Sequence, residues 1–226
     1  MAPSARISAV IGALLLTAAA GCSHQPAGKA VDTAPPSAVQ HGSIPVGAGP
    51  QTTYQAAAQP AAGSCHYHYT AAKQPLPDPA CTPGVASPAV TQATMTTTIC
   101  KPGGYTSGIR PPAAVTNKEK AANAKSYGYT GPMGDAEYDH LVPLSLGGDP
   151  NDPRNLWVEP PSPDHVPGKG PNNDKDVVET HLHTALCKGQ ATLDAVRSAI
   201  ATDWTTAEAK LGLKGGSAPA DPAEDD

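Results

Sequence analysis

Phenylalanine is absent from the 226-residue chain, whose aromatics are seven Tyr and two Trp. Aromatic and large aliphatic side chains supply most of a core's buried area, so the whole length cannot share one core. Charge is also scarce. Asp, Glu, Lys and Arg make up 15% of the residues, with 15 basic against 20 acidic and a formal net charge of −5. That balance excludes a strongly basic nucleic-acid coat, and any nucleic acid has to be gripped at a local site. The chain lacks heptads, a Gly-X-Y period and repeated long apolar runs, which excludes a coiled coil, a collagen and a multi-span membrane protein. It also lacks a Cys-x-x-Cys pair, which weakens a metal reading of its cysteines.

What the chain has in quantity is Pro (26) and Gly (22), unevenly spread. On a prior of about 150 residues per domain, the length allows one domain with flanks. Residues 1–22 read as an export signal: Arg6, an apolar stretch over residues 7–20, then Ala19-Ala20-Gly21-Cys22. The stretch is shorter than the roughly 20 residues a spanning helix needs. The small residues running into cysteine resemble the lipobox of bacterial lipoproteins, which implies lipidation of Cys22; the alternative is an ordinary secretory signal. Both place the mature protein outside the cytoplasm, as a membrane lipoprotein or a secreted protein. There, the four remaining cysteines, Cys65, Cys81, Cys100 and Cys187, suggest two disulfides, with three pairings open. Cys65-His66-Tyr67-His68 is a weaker metal candidate.

Residues 23–75 are rich in Ala, Pro, Gly, Gln and Ser, hold no apolar period, and are expected to be a disordered tether. Residues 209–226 end in Pro and acidic residues and are expected to be a disordered tail. The folded candidate is 76–208, of α+β class. Within it, residues 90–100 have the β-branched character of an extended strand, and 118–127 carry helix formers. Residues 137–144 read as a strand stopped by Pro143, residues 147–153 as a dense turn, and residues 155–159 as a second strand. Asn172, Asn173 and Asp174 are N-cap candidates for a helix reaching Cys187, with Val178, Leu182 and Leu186 on one face. A last helix is expected from residue 191 to about Trp204.

Asp139-His140-Leu-Val-Pro-Leu-Ser-Leu-Gly-Gly, then Asn155-Leu-Trp, then a helix opened by Asn and Asp, resembles the HNH (ββα-metal) endonuclease superfamily. Lys175-Asp176-x-x-Glu179-x-x-Leu182-His183, then Cys187, then Ala199-x-x-x-Asp203-Trp204, resembles its exported bacterial branch. The resemblance spans about residues 90–205. It implies a small ββα-metal core with additional helices and metal-dependent hydrolysis of phosphodiesters in DNA or RNA. By the family pattern His140 is the general base, Asn155 braces it from the second strand, and Asp139, Asn173 and Asp176 are the metal ligands. The implied cofactor is a divalent cation, Mg²⁺ first, with Mn²⁺ or Zn²⁺ as alternatives. The implied partners are nucleic acid and, through Cys22, a membrane. The resembling region contains Cys100 and Cys187, which suggests that they pair, leaving Cys65 with Cys81 near the tether.

The chemistry fits these residue types. A near-neutral imidazole takes a proton from water, and an oxygen-held divalent cation stabilises charge on the phosphate and on the departing oxygen. One geometric condition attaches: neighbours on a regular strand point to opposite faces, so Asp139 and His140 share a site only where the strand is irregular. Other assignments are blander. Trp157 is expected in the core, Glu179 and His183 as a surface pair, and Lys175, Arg154 and Arg110 in solvent or on phosphate. The competing function is a non-catalytic surface lipoprotein that keeps the scaffold as a binding or structural module.

Overall fold

The computed structural model describes residues 43–170 and 173–213. The expected signal segment, Cys22, residues 23–42, Asn172 and residues 214–226 lie outside the described residues. Elements follow in chain order. β1 (His68–Tyr69) pairs antiparallel with β2 (Pro75–Leu76). After a loop come α1 (Tyr105–Ile109) and α2 (Ala113–Ser126). β3 (Glu137–His140) pairs antiparallel with β4 (Leu156–Glu159), followed by α3 (Asp174–Cys187), α4 (Leu193–Asp203) and α5 (Ala207–Lys210). The architecture is mixed α+β, with its two small sheets separate.

Three expectations are corrected. Residues 90–100 form turns and one 3-10 turn, Met95–Thr97, and not a strand. The threonine hydroxyls are the reason. Thr94 Oγ1 donates to Ala89 O at 3.2 Å, and Thr98 Oγ1 to Thr94 O at 2.8 Å, so side chains satisfy the backbone locally. The second helix starts at Ala113, directly after Pro111-Pro112, because proline's fixed φ suits a helix entrance. Third, residues 43–75, read from composition as tether, are tied to the domain. Gly49 N donates to Asp149 Oδ2 at 2.7 Å, Ala57 N to Glu119 Oε1 at 2.6 Å, and Ser126 Oγ to Pro60 O at 2.6 Å. Composition misled because this strap is held at scattered points, by these hydrogen bonds and by a few packed side chains such as Cys65 and Tyr67, without an apolar period. At the other end Leu211 and Leu213 still pack on the core, so the tail begins later than residue 209.

The main core lies between α3, α4 and the loop that precedes α1. It contains Leu182, Leu186, Leu193, Val196, Ile200 and Trp204 with Met95 and Ile99. A second cluster joins Cys65, Tyr127, Leu141 and Trp157, where Tyr67 stacks on Tyr127 at 4.7 Å between centroids. Trp157 is thus a core residue, as expected. The disulfides are Cys65–Cys81 and Cys100–Cys187, the pairing the resemblance suggested; the second ties the loop before α1 to the end of α3.

The outer edge of β4 is closed by side chains. Asn123 of α2 accepts from Val158 N at 2.8 Å, and Tyr67 Oη donates to Val158 O at 2.7 Å, so no strand edge is left open there. The hairpin's turn is fixed from beneath by Arg197, which donates to Leu146 O at 2.8 Å and Gly147 O at 2.7 Å. Gly148 is required by contact: a Cβ there would overlap the Val142 carbonyl.

Candidate functional site

The β3–β4 register aligns Glu137 with Glu159, Asp139 with Trp157 and His140 with Leu156. Directly opposed residues share a face and neighbours alternate. Glu137, Asp139, Trp157 and Glu159 therefore line one face, and His140 leaves from the other. Asp139 and His140 diverge, because β3 is regular and the irregularity begins only at residues 141–143.

On the first face the chain builds a buried ion cluster around Lys175, which is fully buried. Lys175 Nζ lies 2.8 Å from Asp139 Oδ2 and 3.0 Å from His140 O, and it also donates to Glu179. Trp157 Nε1 donates to Asp139 Oδ2 at 2.8 Å. Burial pulls the Lys175 ammonium toward its neutral form, but the carboxylates of Asp139, Glu179 and Glu159 together push its pKa above the ordinary value. Burial raises Glu179 to about 8 against the opposing pull of Lys175, and raises Glu159 well above the usual range, helped by Asp139. Three carboxylates share one ammonium, so protons or another cation have to carry the remaining balance.

Asn173 is the N-cap position of α3 but its side chain does not cap; Nδ2 donates to Glu137 Oε2 at 2.7 Å. The capping contact comes instead from Ser162 Oγ, which accepts from Asp174 N at 2.9 Å. Asp176 is exposed. In the expected ligand set, Asp139 is thus held by Lys175 and Trp157 and Asn173 by Glu137, and those contacts have to be exchanged for a cation to be held there. Both Asp139 oxygens are engaged by Lys175 and Trp157, while the exposed Asp176 acts on the cluster through its charge, which helps raise Glu159 and Glu179. The expectation of solvated Lys175 and of a surface pair Glu179–His183 is corrected. Glu179 turns inward to Lys175, and His183 Nε2 meets Ile99 O at 2.9 Å.

On the opposite face His140 is 6% exposed. Its Nε2 lies 3.0 Å from Pro150 O. A carbonyl only accepts, so Nε2 carries the proton and Nδ1 the lone pair. Burial lowers the His140 pKa to about 4, against the Pro150 contact and Asp139, with Arg110 and Lys175 adding to the lowering. The imidazole is neutral at pH 7. The strap runs nearby: Tyr54 Oη donates to Ile109 O at 2.5 Å, beside Arg110, and Asn151 Nδ2 donates to Gln55 O at 3.0 Å.

Asn155 is fully buried and positions the turn that carries Pro150. Its Oδ1 accepts from Val85 N and Val142 N, each at 3.1 Å. Its Nδ2 donates to Val142 O and Asp149 O, each at 3.0 Å. It therefore braces the backbone two residues past His140 and does not touch the ring. Asp149 completes the turn by accepting from Asn151 N at 3.0 Å and Asp152 N at 2.9 Å.

Elsewhere, Cys100, His183 and Cys187 place their ligand atoms within 4.8 Å of one another. This group could bind a metal ion, but the two sulfurs are joined in a disulfide and offer thiolates only after reduction. Cys65 is likewise in a disulfide, which removes it from the His66/His68 cluster. The disulfides are compatible with an extracytoplasmic location. Among the described residues, no helix is long and apolar enough to cross a membrane.

Lys175 was undervalued by sequence reasoning. The spacing of Lys175 and Glu179, four apart on a helix next to Asp139 in space, was the available signal. No family model matches the chain, and no curated protein or solved structure matches it either.

Proposed function

We propose that the chain is an exported phosphodiester hydrolase of HNH-like ββα type, in which His140 is the general base. The observation that carries this reading is the Nε2–Pro150 contact, which leaves a neutral imidazole with its lone pair on Nδ1. Such a ring is ready to take a proton from a water attacking phosphorus, and an arriving phosphate anion favours the imidazolium that forms. Arg110, whose charge already acts on the ring, is the nearby cation for the phosphate oxygens.

Asp139 has a different part from the one its sequence position suggested. Its carboxylate holds Lys175, and Lys175 holds the His140 carbonyl, so the acid steadies the backbone of the base. No metal step is assigned to Asp139, Asn173 and Asp176. The signal segment and Cys22 support export, with lipid attachment holding the domain at a membrane.

The divergence of Asp139 and His140 favours a second reading, a non-catalytic lipoprotein module on the same scaffold. One experiment separates them. The oxidised chain is incubated with plasmid DNA and with RNA, with Mg²⁺ or Mn²⁺ and with chelator, beside His140→Asn. Cleavage lost in the variant supports the hydrolase. Absence of cleavage under every condition, from protein with both disulfides formed, sinks it.

A further inference from the structure

The face that holds Lys175 also carries a set of acceptors that the ammonium does not satisfy. Glu159 is 1% exposed, and neither of its carboxylate oxygens has a hydrogen-bond partner among the described residues. Glu137, 5% exposed, is its registered neighbour across the hairpin, with Oε1 unpartnered. Asn173, 6% exposed, donates Nδ2 to Glu137 and leaves Oδ1 unpartnered. These four oxygens are acceptors without donors. Their three side chains come from the two strands and from the entrance of α3: the register sets Glu137 and Glu159 opposite each other on one sheet face, and Asn173 is hydrogen-bonded to Glu137.

Buried acceptors of this kind are normally paired, and leaving each bare costs desolvation that nothing returns. Lys175 cannot serve them, since Asp139, Glu179 and the His140 carbonyl occupy it. Carboxylate and amide oxygens in excess over donors are the ligand chemistry of a hard divalent cation.

We propose that Glu137, Glu159 and Asn173 form a binding site for a hard divalent cation of the Ca²⁺ or Mg²⁺ class, adjacent to the Lys175 ammonium. The site differs from the Asp139, Asn173 and Asp176 set expected from the sequence, and it stands independently of the hydrolase reading. The cation neutralises the hairpin's two glutamates and ties both strands to the first turn of α3. The oxygens it takes are those left without donors, so it displaces no existing hydrogen bond.

Trp157 supplies the readout. It sits on the same sheet face, next but one to Glu159 along β4 and hydrogen-bonded to Asp139. The oxidised full chain is titrated with Tb³⁺ under indole excitation, and Ca²⁺ or Mg²⁺ is then added as competitor. The expected result is saturable sensitised Tb³⁺ emission that either divalent ion displaces and Na⁺ does not. Glu159→Gln is expected to weaken binding by at least about tenfold, whereas Asp174→Asn, at an exposed carboxylate of the same helix, leaves it unchanged. Thermal melts with and without Ca²⁺ provide the second measurement. The wild-type Tm is expected to rise with Ca²⁺ and the Glu159→Gln Tm to stay fixed. Absence of sensitised emission, emission insensitive to Glu159→Gln, or equal Ca²⁺ response in both proteins overturns the proposal, and none of these readouts depends on nuclease activity.

Discussion

Asn155 pairs with Val142 as a neighbouring strand would. Its amide accepts from the Val142 N–H at 3.1 Å and donates to the Val142 carbonyl at 3.0 Å, and the same amide reaches Val85 and Asp149. One side chain therefore satisfies four buried backbone groups around the turn that presents Pro150 to His140. Asn155→Ala is expected to cost about 3 kcal/mol or more, since each orphaned group forfeits roughly 1 kcal/mol. Urea unfolding should show this as a lower midpoint at unchanged slope. A loss below 1 kcal/mol would mean the turn holds without it.

The low pKa of His140 has a sign that can be read in stability. Unfolded, the ring titrates near 6.5, and folded near 4. The unfolded chain binds the extra proton between these values, so the folded state loses stability as pH falls from about 6.5 toward 4. His140→Asn should flatten that limb in melts taken across the window. An unchanged acid limb would assign it to another group.

Glu179 acts with the opposite sign. Its folded pKa of about 8 lies above the ordinary 4.5, so its contribution is complete at low pH and is lost as pH rises through 8. Glu179→Gln should remove stability loss between about pH 5 and 8. Ca²⁺ bound at Glu137 and Glu159 should reduce the same slope in the wild type, since it competes with protons for the cluster.

Lys175→Met leaves carboxylates buried without their cation. A loss of about 3 to 5 kcal/mol is expected, partly restored in the double variant with Asp139→Asn. A double-mutant cycle by denaturant unfolding measures the coupling. Additive losses would show that Asp139 and Lys175 do not act as a pair.

Reduction of the disulfides should destabilise the chain by about 3 kcal/mol for the 16-residue separation and between about 4 and 5 for the 87-residue one. The reduced chain should gain Zn²⁺ affinity at Cys100, His183 and Cys187, and Cys100→Ser should abolish the gain.

The legible parts of the sequence were those where pattern and local chemistry agree. β3, its turn, β4 and α3 were readable because Pro143, the glycines of the turn, the second run at residues 156–159 and the leucines of α3 all point the same way. The cysteines by themselves left three disulfide pairings open, and only the resemblance suggested the one observed. The strap at residues 43–75 was not legible, because its attachment is made of scattered single contacts, hydrogen bonds to distant residues together with Cys65 and Tyr67 in the second cluster, and leaves no periodic trace. Lys175 was misread for a related reason. A lysine on a helix reads as solvent-facing unless the acids across the hairpin are known to close over it. The Asp139–His140 pair was read from adjacency in the chain, and the regularity of β3 separates the two.

The strap has a consequence for how the molecule is made. Gly49 finds its acceptor 100 residues later, Tyr67 its acceptor 91 later, and Gln55 its donor 96 later. At ordinary synthesis rates the strap waits roughly 5 to 20 seconds for those partners to emerge. The strap, made well before its partners, thus docks late, and its closure over the hairpin waits for the hairpin itself, in keeping with the slow folding that distant contacts impose.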